Sequence, residues 1–404
     1  MKVIIAGGGI AGLTAALALL RQGIDVQVLE QATELREVGA GVQLSPNATR
    51  TLFQLGLKDA LLSLACVASG KQVRLWNSGQ SWTLFDLGAE SIERYGYPYV
   101  TMHRMDLQDV LANAVVKLQP DAIRLGAKCV AVTQDALDVP GGQVRLFLAD
   151  GEIVTGDVLV GADGVHSKVR ASLFGDGPAV FSGCRAWRGV IPAHKLPAHL
   201  CGSQAFNWVG PGAHVIHYPL RGGELINFVG IVEKNDWQVE SWAVQGRVED
   251  CLADFAGWHE DVQTFIHALE SPFKWALMHR EPMATWIAGR AVLLGDAAHP
   301  TLPLLASGAA MAIEDGFVLA RCLSEKIGTV QEDLPRALQA FESARMERTS
   351  RVVRGSSENA RRFHNPALAH FAGAADYVAR EWSEAKVRER YDWLFSYKVD
   401  EVIL

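Results

Sequence analysis

Hydrophobic positions near the start of the chain change period twice. Residues 2–6 read KVIIA, 11–22 are rich in Ala and Leu, and 25–30 read DVQVLE. A short buried strand, a helix and a second strand give this pattern, and a β-α-β unit calls for a parallel sheet with a right-handed crossover. Over 106–118, Leu107, Val110, Leu111, Ala114 and Val115 share one helical face, which predicts a helix with Asp106 near its start. Residues 143–149 and 152–160 read as two strands joined by an ADG hairpin turn. Over 177–277 the texture changes, with many Trp, His, Gly and Pro and strand-like pieces at 185–191, 204–209, 214–219 and 224–232. An antiparallel sheet inserted between parts of a parallel one has this appearance. A buried-strand run returns at 291–295, and a helix is predicted over 308–322. The rest is helical, closing in an amphipathic helix and an aromatic tail that packs on the body or forms a dimer surface.

Composition narrows the class. The 404 residues are 49% hydrophobic and 21% charged, with a net charge of −7. That is ordinary for a globular enzyme and lacks the basic footprint of a nucleic-acid binder. Six scattered cysteines form no C-x-x-C pair, which points to neither a zinc site nor a disulfide framework. Reduced thiols, a glycine cluster that interrupts the would-be signal sequence, and no apolar run of about 18 residues together suggest a cytoplasmic protein without a membrane span. No metal site is expected.

Three strand tips carry candidate chemistry. Gly7-Gly8-Gly9-Ile10-Ala11-Gly12 is a G-x-G-x-x-G between strand and helix, and Glu30 ends the following strand. The glycines allow a tight turn that seats a pyrophosphate on the helix N-terminus, and the acid grips ribose hydroxyls. The second tip, GADGVHSKVR at 161–170, is equally readable as a structural turn. At the third, GDAAHPTLPLLASGAA, Asp296 closes a strand and the next helix begins with almost no side chains. Its bare N-terminus would present a positive dipole end to a flat anionic ring such as a reduced isoalloxazine, with Asp296 on the attached polyol.

Together these tips resemble the single-component FAD-dependent aromatic hydroxylases. The stretches EVGAGVQLSPNATRTLFQLGL, HRMDL, GCRAWRG, HYPLRGGELINFV and LASGAAMAIEDG look most like the salicylate and 3-hydroxybenzoate 6-hydroxylase branch. The resemblance implies bound FAD held by Gly7, Gly9, Ala11, Gly12, Glu30, Gln31, Gln43, Arg104, Val130, Asp163, Asp296, Ser307, Gly308 and Ala309. It also implies NADH or NADPH as a transient reductant, with NADH favoured, and O2 as oxidant through a flavin C4a-hydroperoxide. The expected substrate is a phenolic aromatic carboxylate. The alternatives are a hydroxypyridine, or a reductase or epoxidase reaction on the same fold. His166 and Lys168 are candidates for the reductant's phosphates, and His299 reads as structural.

By the resemblance, His214 is the base toward the phenol, Tyr218 its orienting donor, and the Pro303 carbonyl faces the substrate. In strand alternation His214 and Tyr218 share a face, and His217 points the other way. Arg185, Trp187, Trp208, His217 and Arg221 complete the candidate substrate set, with Arg188 as another cation for a carboxylate. Each of the aromatics reads first as core, and each arginine first as a solvated surface charge. The implied architecture is mixed α/β. A Rossmann-like FAD domain covers 1–72, 101–176 and 278–340, an inserted substrate domain covers 73–100 and 177–277, and a helical region covers 341–404.

Overall fold

The computed structural model describes residues 1–35, 40–175, 177, 179–235, 244–326 and 330–404. The opening strand Lys2–Ala6 lies inside a six-stranded sheet, between Val158–Gly161 and Asp25–Leu29. Ala291–Leu293 and Ile123–Arg124 flank these in parallel, and the short edge strand Ile287–Ala288 runs antiparallel. The register places Leu29, Ala6, Gly161 and Leu293 side by side. Each is the last residue of its strand, so the three motif tips leave the sheet together at its carboxyl edge. Open α/β sheets bind their ligands at that edge.

The run 152–160 is not one strand. It breaks at Asp157 into Ile153–Gly156, in a three-stranded antiparallel sheet, and Val158–Gly161, in the parallel one. The break is pinned by the Asp157 carboxylate, which accepts from the Lys2 N–H at 2.7 Å, and by the Asp157 N–H donating to the Lys2 carbonyl. Apolar periodicity cannot show a change of sheet within a continuous run.

The second large sheet has seven strands, in the order Phe273–His279, Val180–Pro192, Leu225–Glu233, Ala213–Leu220, Ala205–Gly210, Gly70–Leu75 and Ser81–Asp86. All neighbours are antiparallel except Ala205–Gly210 beside Gly70–Leu75. Side chains alternate between faces, so pairing sorts them. Trp187, Phe206, Trp208 and Phe228 pack with Phe255 and Phe265 of the helical segment 248–267 into a separate core. The opposite face carries Arg188, Ile216, Tyr218, Val229 and Ile231.

Helix Ile10–Arg21 crosses helix Gly308–Lys326 closely because Gly316 has no side chain, and a Cβ there would lie 2.6 Å from the Ala15 nitrogen. The second of these helices is braced by buried charges. Glu314 pairs with Arg345 at 2.7 Å and Arg348 at 2.8 Å, and Asp315 pairs with Arg345 at 2.8 Å. Both arginines come from the long helix Val330–Phe363. The ring of Tyr397 lies 3.7 Å from the Arg348 guanidinium, and Tyr391 and Phe395 pack on Phe85. The aromatic faces of the tail are therefore used within the chain. No helix among the described residues is long and apolar enough to cross a membrane.

Candidate active site

A cavity of about 570 Å³ runs from the carboxyl edge of the parallel sheet to the Tyr218 face of the seven-stranded sheet. At its first end are Gly7, Gly9, Ala11, Glu30 and Gln31. Arg104, Gln43, Asp163 and Asp296 line the middle, and Ser307, Gly308 and Ala309 form one wall. The far end is made by Arg188, Ile216, Tyr218, Val229, Ile231, Trp275 and Pro303.

Three glycines near the first end differ in role. Gly7 sits at φ +106°, and a Cβ there would lie 2.4 Å from the Ala162 carbonyl oxygen. Gly12 lies outside the lining, and its missing Cβ would meet the Gly7 carbonyl at 2.0 Å. Gly9 is extended at φ −78°, caps helix Ile10–Arg21 without a side-chain bond, and has nothing within 4 Å of its missing Cβ. The bare N-terminus of the helix therefore opens into the cavity. Glu30 is held there by the N–H groups of Gly8 at 2.7 Å and Ala32 at 2.8 Å.

The side chain of Asp296 is accessible and lines the cavity. Its depth in the protein raises the carboxyl above the ordinary range, with Arg104 and His299 opposing. Asp163 caps helix Lys168–Phe174, accepting from Ser167 Oγ and from the Lys168 and Val169 N–H groups. His166 and Lys168 stand at the cavity margin. His299 pairs with Asp315 at 2.6 Å, and Asp315 also accepts from the Gly295 N–H, so this ring orders the turn after Leu294.

Several expected residues lie elsewhere. Trp187, Trp208 and His217 occupy the outer face of the seven-stranded sheet, against the helical segment 248–267. His217 stacks on Phe206, and burial, with Arg74 nearby, lowers its pKa to about 3. Arg185 shares that outer face and is tied to Asp254, which also accepts from the Trp187 indole N–H at 2.7 Å. Arg221 is on a turn, bidentate to Asp106 at 2.6 and 2.9 Å. Val130 is exposed outside the cavity, although its neighbours Lys128 and Cys129 line it. His214 shares the inner face with Tyr218 but is not part of the lining. Residues 37–39 of the EVGAG stretch lie outside the described residues.

The cavity cation at the far end is Arg188, with its guanidinium 5.4 Å from the centre of the Trp275 ring. The signal for it was parity: it is one residue from Trp187, which must face the outer core. Burial raises the Tyr218 hydroxyl pKa, Arg188 and Gln43 pull it back only in part, and the phenol stays a neutral donor. Gln43 in turn accepts from Tyr99 at 2.9 Å. Gly41 gives the Tyr218 ring its room, since a Cβ would lie 2.6 Å from Cε2, and its N–H donates to Asn227 at 2.7 Å. No group of three or more potential metal ligands occurs among the described residues.

A family model described as "FAD binding domain" matches residues 1–356. The chain belongs to that FAD-binding family. FAD is its cofactor, and the cradle fits it: open space beside Gly9, a carboxylate at the Glu30 tip, and only small side chains from Ser307 to Ala310. This flavoprotein is 39% identical over 402 residues to 3-amino-4-hydroxybenzoate 2-monooxygenase PtnB3 of Streptomyces platensis, covering 99% of this chain and 97% of that one. It is 34% identical to 3-hydroxybenzoate 6-hydroxylase of Polaromonas naphthalenivorans (strain CJ2), over 99% and 96% of the two chains. Its fold superposes on Klebsiella pneumoniae HpxO complexed with FAD and uric acid with a TM-score of 0.83 at 28% identity, covering 98% and 97%.

Proposed function

We propose that this flavoprotein hydroxylates a phenolic aromatic carboxylate, a salicylate- or 3-hydroxybenzoate-like ring, using NADH and O2. The observation that carries the reading is the far end of the cavity: one guanidinium, Arg188, and one neutral phenol, Tyr218, among Ile216, Val229, Ile231 and Trp275. A planar guanidinium suits a carboxylate because it offers paired N–H donors in a fixed fork. Tyr218, unable to ionise at working pH, orients a ring oxygen by donating to it. The apolar side chains exclude water, which protects reactive oxygen species from wasteful breakdown.

At the other end, Gly7 and Gly9 leave the helix N-terminus open, where a pyrophosphate would sit, Glu30 and Gln31 would hold the adenosine, and Arg104 and Asp296 would hold the linking chain. Ser307, Gly308 and Ala309 let the start of the next helix lie against the ring. Bound there, FAD supplies electron transfer from NAD(P)H and activation of O2. The full-length likeness to enzymes named for hydroxy- and aminohydroxybenzoates supports the substrate class. Six unbridged cysteines suit a cytoplasmic location.

The test is NADH oxidation by the FAD-loaded protein, with product identification. Salicylate, 3-hydroxybenzoate or 3-amino-4-hydroxybenzoate should each be compared with the same ring lacking its carboxylate. The carboxylates are expected to stimulate oxidation and yield a ring-hydroxylated product. Equal stimulation by the decarboxylated rings, or none by any phenol, overturns the reading.

A further inference from the structure

Gln108 opens the second turn of helix Arg104–Leu118, whose Leu107, Val110 and Leu111 are buried, and is itself only 5% exposed. Its Nε2 donates to the Gly8 carbonyl at 2.8 Å, across 100 positions of sequence. Its Oε1 is buried without a hydrogen-bond partner among the described residues. Turned the other way, the amide would set its oxygen against that of Gly8, acceptor against acceptor, so the nitrogen end faces the turn. A buried acceptor left unpaired costs stability, and a leucine or methionine would fill the same space without that cost. Packing alone gives no reason for a glutamine here.

What it touches is the middle of the first glycine turn, where neighbouring polar groups are already committed. The Gly7 N–H donates to the Leu29 carbonyl at 2.8 Å, the Gly8 N–H donates to Glu30 Oε2 at 2.7 Å, and the Gly9 carbonyl accepts from the Leu13 N–H at 2.9 Å. That leaves the peptide between Gly8 and Gly9. Gly9 lines the cavity, and its N–H has no protein partner among the described residues. With glycine on both sides, no Cβ resists rotation of this plane. A trans peptide holds its C=O and N–H in opposite directions. Gln108 lies outside the cavity lining. By drawing the Gly8 carbonyl to itself, it turns the Gly9 N–H toward the cavity. The flipped plane would aim a carbonyl oxygen at the space where an anion is to sit.

We infer that Gln108 is a positioning residue for the pyrophosphate of FAD and acts through the Gly8–Gly9 peptide. It selects the orientation in which the Gly9 N–H joins the unpaired first N–H groups of helix Ile10–Arg21 as donors to phosphate oxygens. The inference rests on the pyrophosphate seat proposed above and is independent of which ring is hydroxylated.

Gln108→Met and Gln108→Leu keep the volume and remove the donor. Each apoprotein should unfold at the wild-type urea midpoint, because the unpaired Oε1 leaves together with the bond to Gly8. FAD affinity, read by flavin fluorescence titration of stripped protein, should fall on the order of 10-fold, the worth of one hydrogen bond to a charged group. At saturating FAD, phosphorus NMR should show the pyrophosphate resonances displaced from their wild-type positions while the flavin absorbance bands stay in place. Wild-type affinity, or unmoved phosphorus resonances, in both variants overturns the inference. Failure of both variants to fold overturns it too, since Gln108 is then a structural residue. Gly9→Ala separates the seat from its support. Weaker FAD binding in Gly9→Ala with none in the Gln108 variants overturns the role of Gln108 alone. Unaltered binding in Gly9→Ala overturns the pyrophosphate seat and this inference with it.

Discussion

Substituting alanine at Gly9 and at Gly7, two residues apart in one loop, should separate cofactor binding from folding. Gly9 has an ordinary extended backbone and open space where its Cβ would project. Gly9→Ala should therefore leave apoprotein stability within about 1 kcal/mol of wild type, because reduced freedom of the unfolded chain offsets a poorer helix cap. The new methyl group would stand where the pyrophosphate meets the helix N-terminus. Losing one charge-assisted hydrogen bond costs about 1.5–3 kcal/mol, or roughly 10- to 150-fold in FAD affinity. Gly7→Ala faces both φ +106° and a carbonyl oxygen 2.4 Å from the new Cβ. Backbone strain of about 1–3 kcal/mol and overpacking of similar size should reach the apoprotein itself. Flavin fluorescence titration of stripped protein gives the affinities, and urea unfolding of the same samples gives the stabilities. A Gly9→Ala apoprotein as unstable as Gly7→Ala, or one that binds FAD like wild type, would refute the division of roles.

Further outcomes follow from other contacts. Arg188→Leu should raise KM for 3-hydroxybenzoate on the order of 10²-fold, equivalent to about 2.7 kcal/mol, while FAD content stays full; an unchanged KM in steady-state kinetics removes Arg188 from the substrate site. Burial alone would raise the Asp315 carboxyl, but His299 and Arg345 override it and hold it at about 2 instead of the ordinary 3.8. Because the folded value is the lower one, this stabilisation is present above about pH 4 and is lost as pH falls toward 2, an amount on the order of 2 kcal/mol. Asp315→Asn should therefore flatten the stability profile in that window, as read by urea unfolding at stepped pH. Glu30→Gln keeps the shape of the loop but weakens its two N–H contacts and the ribose grip, so FAD should elute from the variant during gel filtration; a fully yellow variant argues against the ribose contact.

Much of the fold was legible because it is written in local periodicity. The β-α-β start, the glycine turn and the strands near 205, 214 and 225 follow from apolar spacing, and the three tips meet because parallel register forces them to. The alternation in AHVIHYPL put His214 with Tyr218 and opposed His217, and the sheet keeps that parity. Parity alone could not say which face meets the cavity. The helical segment 248–267 covers the Trp187 side, which leaves Arg188 rather than Arg185 as the inward cation. Long-range partners were also invisible. Arg221 is claimed by Asp106, 115 positions away, and His214 by His364, 150 positions away. Glu314 and Asp315 read as one turn of an ordinary helix until Arg345 and Arg348 arrive from another.

That last bracing has a consequence for how the protein is made. The wall against which a flavin lies begins at Ser307, yet its helix is gripped by Arg345 and Arg348, and Arg348 in turn donates to the carbonyls of Trp393 and Leu394. A nascent chain halted before that point has both nucleotide turns and the strand bearing Tyr218, but leaves Glu314 and Asp315 of the wall's helix without the two arginines that pair with them. Premature stops late in the reading frame should therefore yield colourless polypeptide rather than a weakened yellow enzyme, and prosthetic-group loading becomes an event of the finished chain.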